Sequence, residues 1–158
     1  MRRQPVGEAS AEVTVVVHKP VAEVFAVMSD YNKNVHWQEG VIASRQVTPG
    51  PPAVGAEVSY VRQIAGRKLE AKATITALET DARIRIESSS RMYTYHGGYD
   101  FQSTTEGHTT IHYQGRITTG RLLGLFAKRL ADGFTTQMTT DLNHLKTLLE
   151  TDRFPHGG

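Results

Sequence analysis

Cysteine is absent from this 158-residue chain. Its absence excludes disulfides, thiolate nucleophiles and cysteine-ligated zinc. No stretch reaches the roughly 18 consecutive apolar residues of a membrane-spanning helix. The opening residues MRRQPVGEAS carry two arginines but no apolar run behind them, so they do not read as a secretory signal. An excess of one charge sign is also lacking. The 18 Lys and Arg against 16 Asp and Glu leave a net charge of +2. The basic residues are dispersed, with Arg2-Arg3 the densest pair, so the clustered stripe of a nucleic-acid surface is missing. The expectation is a soluble protein, cytoplasmic by default, with no nucleic-acid partner and no stable membrane insertion.

What is present is a globular composition, with 39% hydrophobic and 22% charged residues. The length suits one domain, able to bury roughly 68–70% of its unfolded surface and to enclose a core. The first eight residues read as a flexible lead-in, 9–150 as the domain, and 151–158 as a disordered tail.

Ala9 to Val17 places Val13, Val15 and Val17 on one side of a strand. Pro20 suits the first turn of a short helix to Met28, whose apolar residues Val21, Val24, Phe25 and Met28 recur at helical spacing. A second short helix is expected over Lys33 to Trp37. From Val41 the pattern becomes that of strands: Val41–Thr48, Glu57–Ile64, Arg67–Leu78, Arg83–Ser89, Tyr93–Gln102 and Thr109–Thr119. Turn residues such as Pro49-Gly50-Pro51-Pro52, Ala65-Gly66, Thr80-Asp81 and Glu106-Gly107 separate them, which argues for an antiparallel meander. Arg121 to Glu150 then carries an apolar stripe through Leu122, Phe126, Leu130, Phe134, Met138, Leu142, Leu145 and Leu149, one face of a helix about 45 Å long if unbroken. Gly133 and the threonine pairs near it weaken helix propensity there.

The order and several local segments resemble the START and polyketide-cyclase-like superfamily, which includes the birch-pollen-allergen fold. The segments are Val17-His18-Lys19-Pro20-Val21-Ala22-Glu23-Val24-Phe25, His36-Trp37-Gln38-Glu39-Gly40-Val41, Val54-Gly55-Ala56-Glu57-Val58, Tyr99-Asp100-Phe101 with Gly107-His108-Thr109-Thr110-Ile111, and Leu142 through Glu150. The resemblance runs from about Glu12 to Glu150. It implies an α+β helix-grip fold: a curved antiparallel sheet of six or seven strands wrapped around a long C-terminal helix. Its members differ in activity, so the fold follows more directly than the function.

Alternation assigns an inner face to each strand. That face comprises Val58, Tyr60, Arg62 and Ile64; Leu69, Ala71, Ala73, Ile75 and Ala77; Ile84, Ile86 and Ser88; Tyr93, Tyr95, Gly97, Tyr99 and Phe101; and Ile111, Tyr113, Gly115 and Ile117. Alanines and glycines opposite a helix leave space, and five of the six tyrosines point into it. An apolar chamber with a few polar tips suits a small-molecule ligand. The expected ligand-binding residues are Trp37, Ala73, Ile75, Ile86, Ser88, Tyr99, Phe101, Tyr113, Phe126, Leu130, Phe134 and Met138. The alternative is an ordinary filled core.

Arg62 in an inward register needs an anion, several acceptors or the pocket mouth. With Tyr60 and Tyr95 it is the candidate catalytic group, able to hold a carboxylate or polarise an enolate oxygen. His96 points outward by parity, and His36 is placed near the entrance. His108 and His112 share the outer face but sit about 13 Å apart, too far to share a metal. No metal site and no cofactor are expected. A carrier of a lipid, polyketide or aromatic is the first functional reading. A cyclase or dehydratase is the second, and a protein-interaction module the third. There is no Ser-His-Asp elbow, inward carboxylate pair or phosphate loop to decide for catalysis.

Overall fold

A computed structural model describes residues 8–64, 66–89, 93–119 and 127–155. Seven antiparallel strands form one open sheet, in the order β1-β7-β6-β5-β4-β3-β2. The strands are β1 (Glu8–Val17), β2 (Val41–Gln46), β3 (Glu57–Ile64), β4 (Arg67–Glu79), β5 (Arg83–Ser89), β6 (Tyr93–Ser103) and β7 (Thr109–Thr119). Strands β2 to β7 follow one another as a meander, while β1 returns to pair with β7. Between β1 and β2 the chain crosses from one sheet edge to the other through α1 (Val21–Met28), a 3₁₀ turn (Tyr31–Lys33) and α2 (Asn34–Trp37). The C-terminal helix α3 spans Ala127–Glu150. This is the helix-grip architecture expected from the element order. Phe126 and Leu122 lie outside the described residues, as does the side chain of Leu130.

The core forms where α1, α2 and the later turns of α3 meet the inner sheet face. Val17, Val24, Ile75, Ile84, Ile111, Leu142 and Leu145 are completely buried there. Trp37 is buried too, with its ring 6.4 Å from that of Tyr99. Helix α3 packs most closely on β1 and α2, which leaves the inner face of β3 to β5 without comparable cover.

Four local features depart from the pattern read in the sequence. A bulge in β4 places Ile75 opposite Ile86 but Ala77 opposite Arg85, so Leu78 pairs with the buried Ile84. An extra residue in one strand reverses its parity, so Leu78 joins the core rim and Ala77 leaves the inner face. Strand β2 ends at Gln46, before Thr48, and the Gln46 Nε2 amide donates to the carbonyls of Thr48 and Gly50 at 2.7 and 2.9 Å. These bonds anchor the proline-rich loop. The tail was expected to be free beyond Thr151, yet Phe154 is buried and its ring packs edge-on against His36 at 5.9 Å. Arg153 N–H bonds the Leu148 carbonyl, one of the helix-terminal acceptors left without an internal partner.

The fourth departure concerns the glycines. Gly97 and Gly115 are register partners on β6 and β7. The space above them is filled by phenol rings: a Cβ on Gly97 would overlap the Tyr95 hydroxyl, and one on Gly115 would overlap that of Tyr113. Each tyrosine lies along its own strand and covers the glycine two residues on, so these glycines create no hollow.

Candidate functional site

A cavity of about 590 Å³ remains between the inner face of β3–β7, the α2–β2 corner and α3. Tyr31, Tyr60, Tyr93, Tyr95 and Tyr99 border it, with Leu69, Ala71, Ile86, Ile117, Phe134 and Met138 supplying apolar wall. Strand β6 places Tyr93, Tyr95 and Tyr99 on one face by period two, β3 supplies Tyr60, the 3₁₀ turn supplies Tyr31, and α3 places Phe134 and Met138 one turn apart. Ser88 also borders the cavity, but its hydroxyl donates to the Lys72 carbonyl at 2.6 Å. Arg62 reaches the cavity from β3, with its guanidinium carbon 5.8 Å from the Tyr60 ring centre. Among the described residues Arg62 makes no ion pair or hydrogen bond through its side chain.

Five phenols in and beside the cavity are held in their neutral form. Burial pushes Tyr31, Tyr60, Tyr95, Tyr99 and Tyr113 above the ordinary tyrosine range. Arg62 opposes the rise at Tyr60, Tyr95, Tyr99 and Tyr113, and burial outweighs it. The Tyr95 and Tyr113 hydroxyls lie 2.7 Å apart and share one hydrogen bond. Neutral phenols beside an unpaired guanidinium offer donors to an oxygen atom inside an apolar chamber, where such bonds are stronger than in water.

The residues singled out in the sequence fall into two groups. Arg62, Tyr60, Tyr95, Ile86, Ser88, Tyr99, Phe134 and Met138 border the cavity. Trp37, Ala73, Ile75, Phe101 and Tyr113 are buried but sit in the core behind or beside it. Trp37 packs between α2 and the sheet, and Phe101 lies against Phe25 at 5.4 Å. Tyr113 is screened by Tyr95 and Phe134, and its ring lies 5.4 Å from that of Tyr99 and 6.0 Å from that of Phe134. His96 is exposed beside Glu87 at 3.5 Å. His108 stacks on His18 at 4.4 Å, and His112 bonds Thr14 and Glu12, all away from the cavity.

Sequence reasoning missed the polar end. Asn34, Gln38, Glu39 and Gln137 also border the cavity. Behind them Asp141 is fully buried on α3. Its Oδ1 accepts the Glu39 N–H and the Gln137 amide, each at 2.9 Å. Burial raises its carboxyl above the ordinary aspartate range, against the pull of those two bonds and of Arg62. The signal was available: Asp141 falls three residues after Met138 and four before Leu145, within the apolar stripe.

The sequence matches the family described as polyketide cyclase / dehydrase and lipid transport over residues 8–150. The chain belongs to that family. No curated protein is similar enough in sequence to count as a match. Solved structures share the fold at low identity. The Zhui aromatase/cyclase from a Streptomyces species has a TM-score of 0.77 at 16% identity, covering 96% of this chain and 99% of its own. A Thermus thermophilus protein gives 0.76 at 14%, covering 90% and 98%. The ginseng major latex-like protein 151 from Panax ginseng gives 0.71 at 8%, covering 89% and 96%. Likeness at these identities establishes the helix-grip fold, and the site must supply the function. Among the described residues, no helix is long and apolar enough to cross a membrane.

Proposed function

We propose that the chain binds a hydrophobic, ring-containing small molecule between the sheet and α3, as a carrier or binding protein. The observation that carries this reading is the aromatic-lined cavity of about 590 Å³ beneath a helix that does not fill it. That volume lies in the middle of the range for small-molecule sites, roughly 300–1,000 Å³. Family membership agrees with it, since lipid transport and polyketide chemistry both handle apolar guests. Arg62 gives the chamber one charged donor, so the guest carries an acceptor oxygen such as a carboxylate, carbonyl or enolate.

Native mass spectrometry of the freshly purified protein tests this. A co-purified mass that is lost on organic extraction supports it. Failure of the extracted protein to take up any apolar aromatic acid or quinone refutes it.

A second reading, a polyketide cyclase or dehydratase, is favoured by one feature: the unpaired Arg62 stands among neutral phenols. Positioning a folded chain and stabilising its enolate oxygen would need no compact catalytic signature. Arg62→Met separates the readings. Lost turnover of a candidate polyketide with retained binding favours the enzyme, and retained turnover removes Arg62 from it.

A further inference from the structure

The two edges of the sheet are finished differently. Strands β2 and β1 are its outermost members. The chain itself closes the β2 edge: the 3₁₀ turn and α2 pack along it, and the Gln46 N–H donates to Asn32 Oδ1 at 3.1 Å. Strand β1 runs for ten residues in unbroken register with β7, from Glu8↔Thr118 to Val17↔Thr109, with no proline and no bulge. Prolines, bulges and covering segments are the devices with which proteins blunt an edge.

The ladder shows which backbone groups β1 turns outward. In an antiparallel strand the N–H and C=O of one residue point to the same side, and successive residues alternate. The Phe101 N–H bonds the Ala82 carbonyl, so Phe101 faces β5. Asp100 and Gln102 therefore face β7, and their partners His112 and Thr110 face back. Ile111 and Tyr113 are left to face β1, where Val15 and Val13 meet them. It follows that Glu8, Ser10, Glu12, Thr14 and Val16 direct their N–H and C=O groups away from the sheet. At one end α3 meets them: Lys146 Nζ donates to the Val16 carbonyl, and the His18 N–H donates to Glu150 Oε2, each at 2.7 Å. Among the described residues, nothing meets those of Glu8, Ser10, Glu12 and Thr14. All four residues are exposed, and Val13 and Val15 beside them are only half-buried.

This open stretch is complementary to itself. With Ala11 opposite the partner's Ala11 in a second copy, Ser10 stands opposite the partner's Glu12, and Glu8 opposite the partner's Thr14. Each carboxylate then faces a hydroxyl donor. Moving the two-fold axis to Ser10 sets Glu8 against the partner's Glu12, and moving it to Glu12 sets that acid against its own copy, both of which are unfavourable. The Ala11-centred register uses the four open residues and stops short of the end that Lys146 and Glu150 close.

We propose that β1 is a homodimerisation edge, across which two copies of the chain join antiparallel through Glu8–Thr14 into one continuous sheet. The contact lies on the strand edge and does not depend on what the cavity holds. One strand pair is a small interface, so the dimer is weak and reversible.

Sedimentation velocity of the full-length protein from about 5 µM to 1 mM tests this. The wild type is expected to pass reversibly from monomer to dimer. Ser10→Pro removes an outward N–H that the β7 ladder does not use, so it is expected to keep the wild-type circular dichroism and to stay monomeric. Ser10→Lys places a cation opposite the partner's Glu12, and Ser10→Glu a second anion. The lysine variant should dimerise at least about twofold more tightly than the glutamate variant. A wild type that is monomeric throughout overturns the proposal. So does a folded Ser10→Pro protein that dimerises as the wild type does, because the copies would then meet elsewhere. Equal dimerisation of the lysine and glutamate variants overturns the register, and that comparison decides the matter if Ser10→Pro fails to fold.

Discussion

Replacing Gly115 by alanine is expected to destabilise the protein by about 1.5–4.5 kcal/mol. The new methyl would enter the volume held by the Tyr113 hydroxyl and its ring carbon, with Phe134 3.1 Å away on the other side. Tyr113 is only 1% exposed, so its ring cannot swing into solvent. Overpacking of this kind costs about 1–3 kcal/mol. Breaking the 2.7 Å bond to Tyr95 adds roughly another 0.5–1.5 kcal/mol. For a chain of this length the sum corresponds to a fall in Tm of about 5–15 °C. Gly133→Ala is the matched control: a Cβ there meets nothing within 4 Å. At that helical position the same change should stabilise by about 0.5–1 kcal/mol. Urea unfolding of the two variants measures both. The reasoning is refuted if Gly115→Ala unfolds within about 0.5 kcal/mol of wild type, because a tolerated methyl means the phenol does not cover that glycine.

Other consequences follow from the same contacts. Phe154→Ala should cost about 3 kcal/mol in chemical denaturation, as loss of a buried ring does, whereas a free tail would show no change. Asp100 accepts hydrogen bonds from Arg83 and Arg85. Burial alone would raise its carboxyl, but these bonds and charges hold it below the usual aspartate range. Its contribution is therefore present at neutral pH and lost as pH falls through that lowered value. Asp100→Asn should flatten the acid limb of a stability–pH curve, and an unchanged limb would contradict the pairing. Arg62→Met should weaken binding of an aromatic carboxylate at least about tenfold and its methyl ester much less, read by fluorescence competition. Equal losses for the two would place Arg62 away from the guest.

Most of the scaffold was legible in the sequence because two periodicities carried it. Alternation in β5, with Ile84 and Ile86 inward and Arg83 and Arg85 outward, survives intact. The stripe through Met138, Leu142, Leu145 and Leu149 is likewise the buried face of α3. Periodicity could not reveal the β4 bulge, since one added residue leaves the composition of the strand unchanged and exchanges Ala77 for Leu78. It also could not say what fills the space above a glycine. Reading Gly97 and Gly115 as empty volume neglects that a tyrosine two residues earlier can lie along the strand and cover it. Burial and cavity lining are likewise different properties. Ala73, Ile75 and Phe101 have the right parity, but the cavity is displaced toward β3, the β3–β4 hairpin and the α2–β2 corner, away from their end of the sheet. Asn34, Gln38 and Asp141 were passed over because each is polar and they meet only where α2 and α3, far apart in the chain, come together.

Filling the cavity from within tests its role most directly. Met138 is almost fully buried and borders the cavity from α3. Met138→Trp replaces a flexible thioether by an indole that has only that hollow to enter. Calorimetric titration with one aromatic carboxylate should give saturable one-to-one binding to the wild type and at least roughly a tenfold loss in the variant, whose thermal stability stays near wild type. Unchanged affinity in a folded Met138→Trp protein would mean that the guest sits elsewhere, and the assignment of the space between sheet and helix would be wrong.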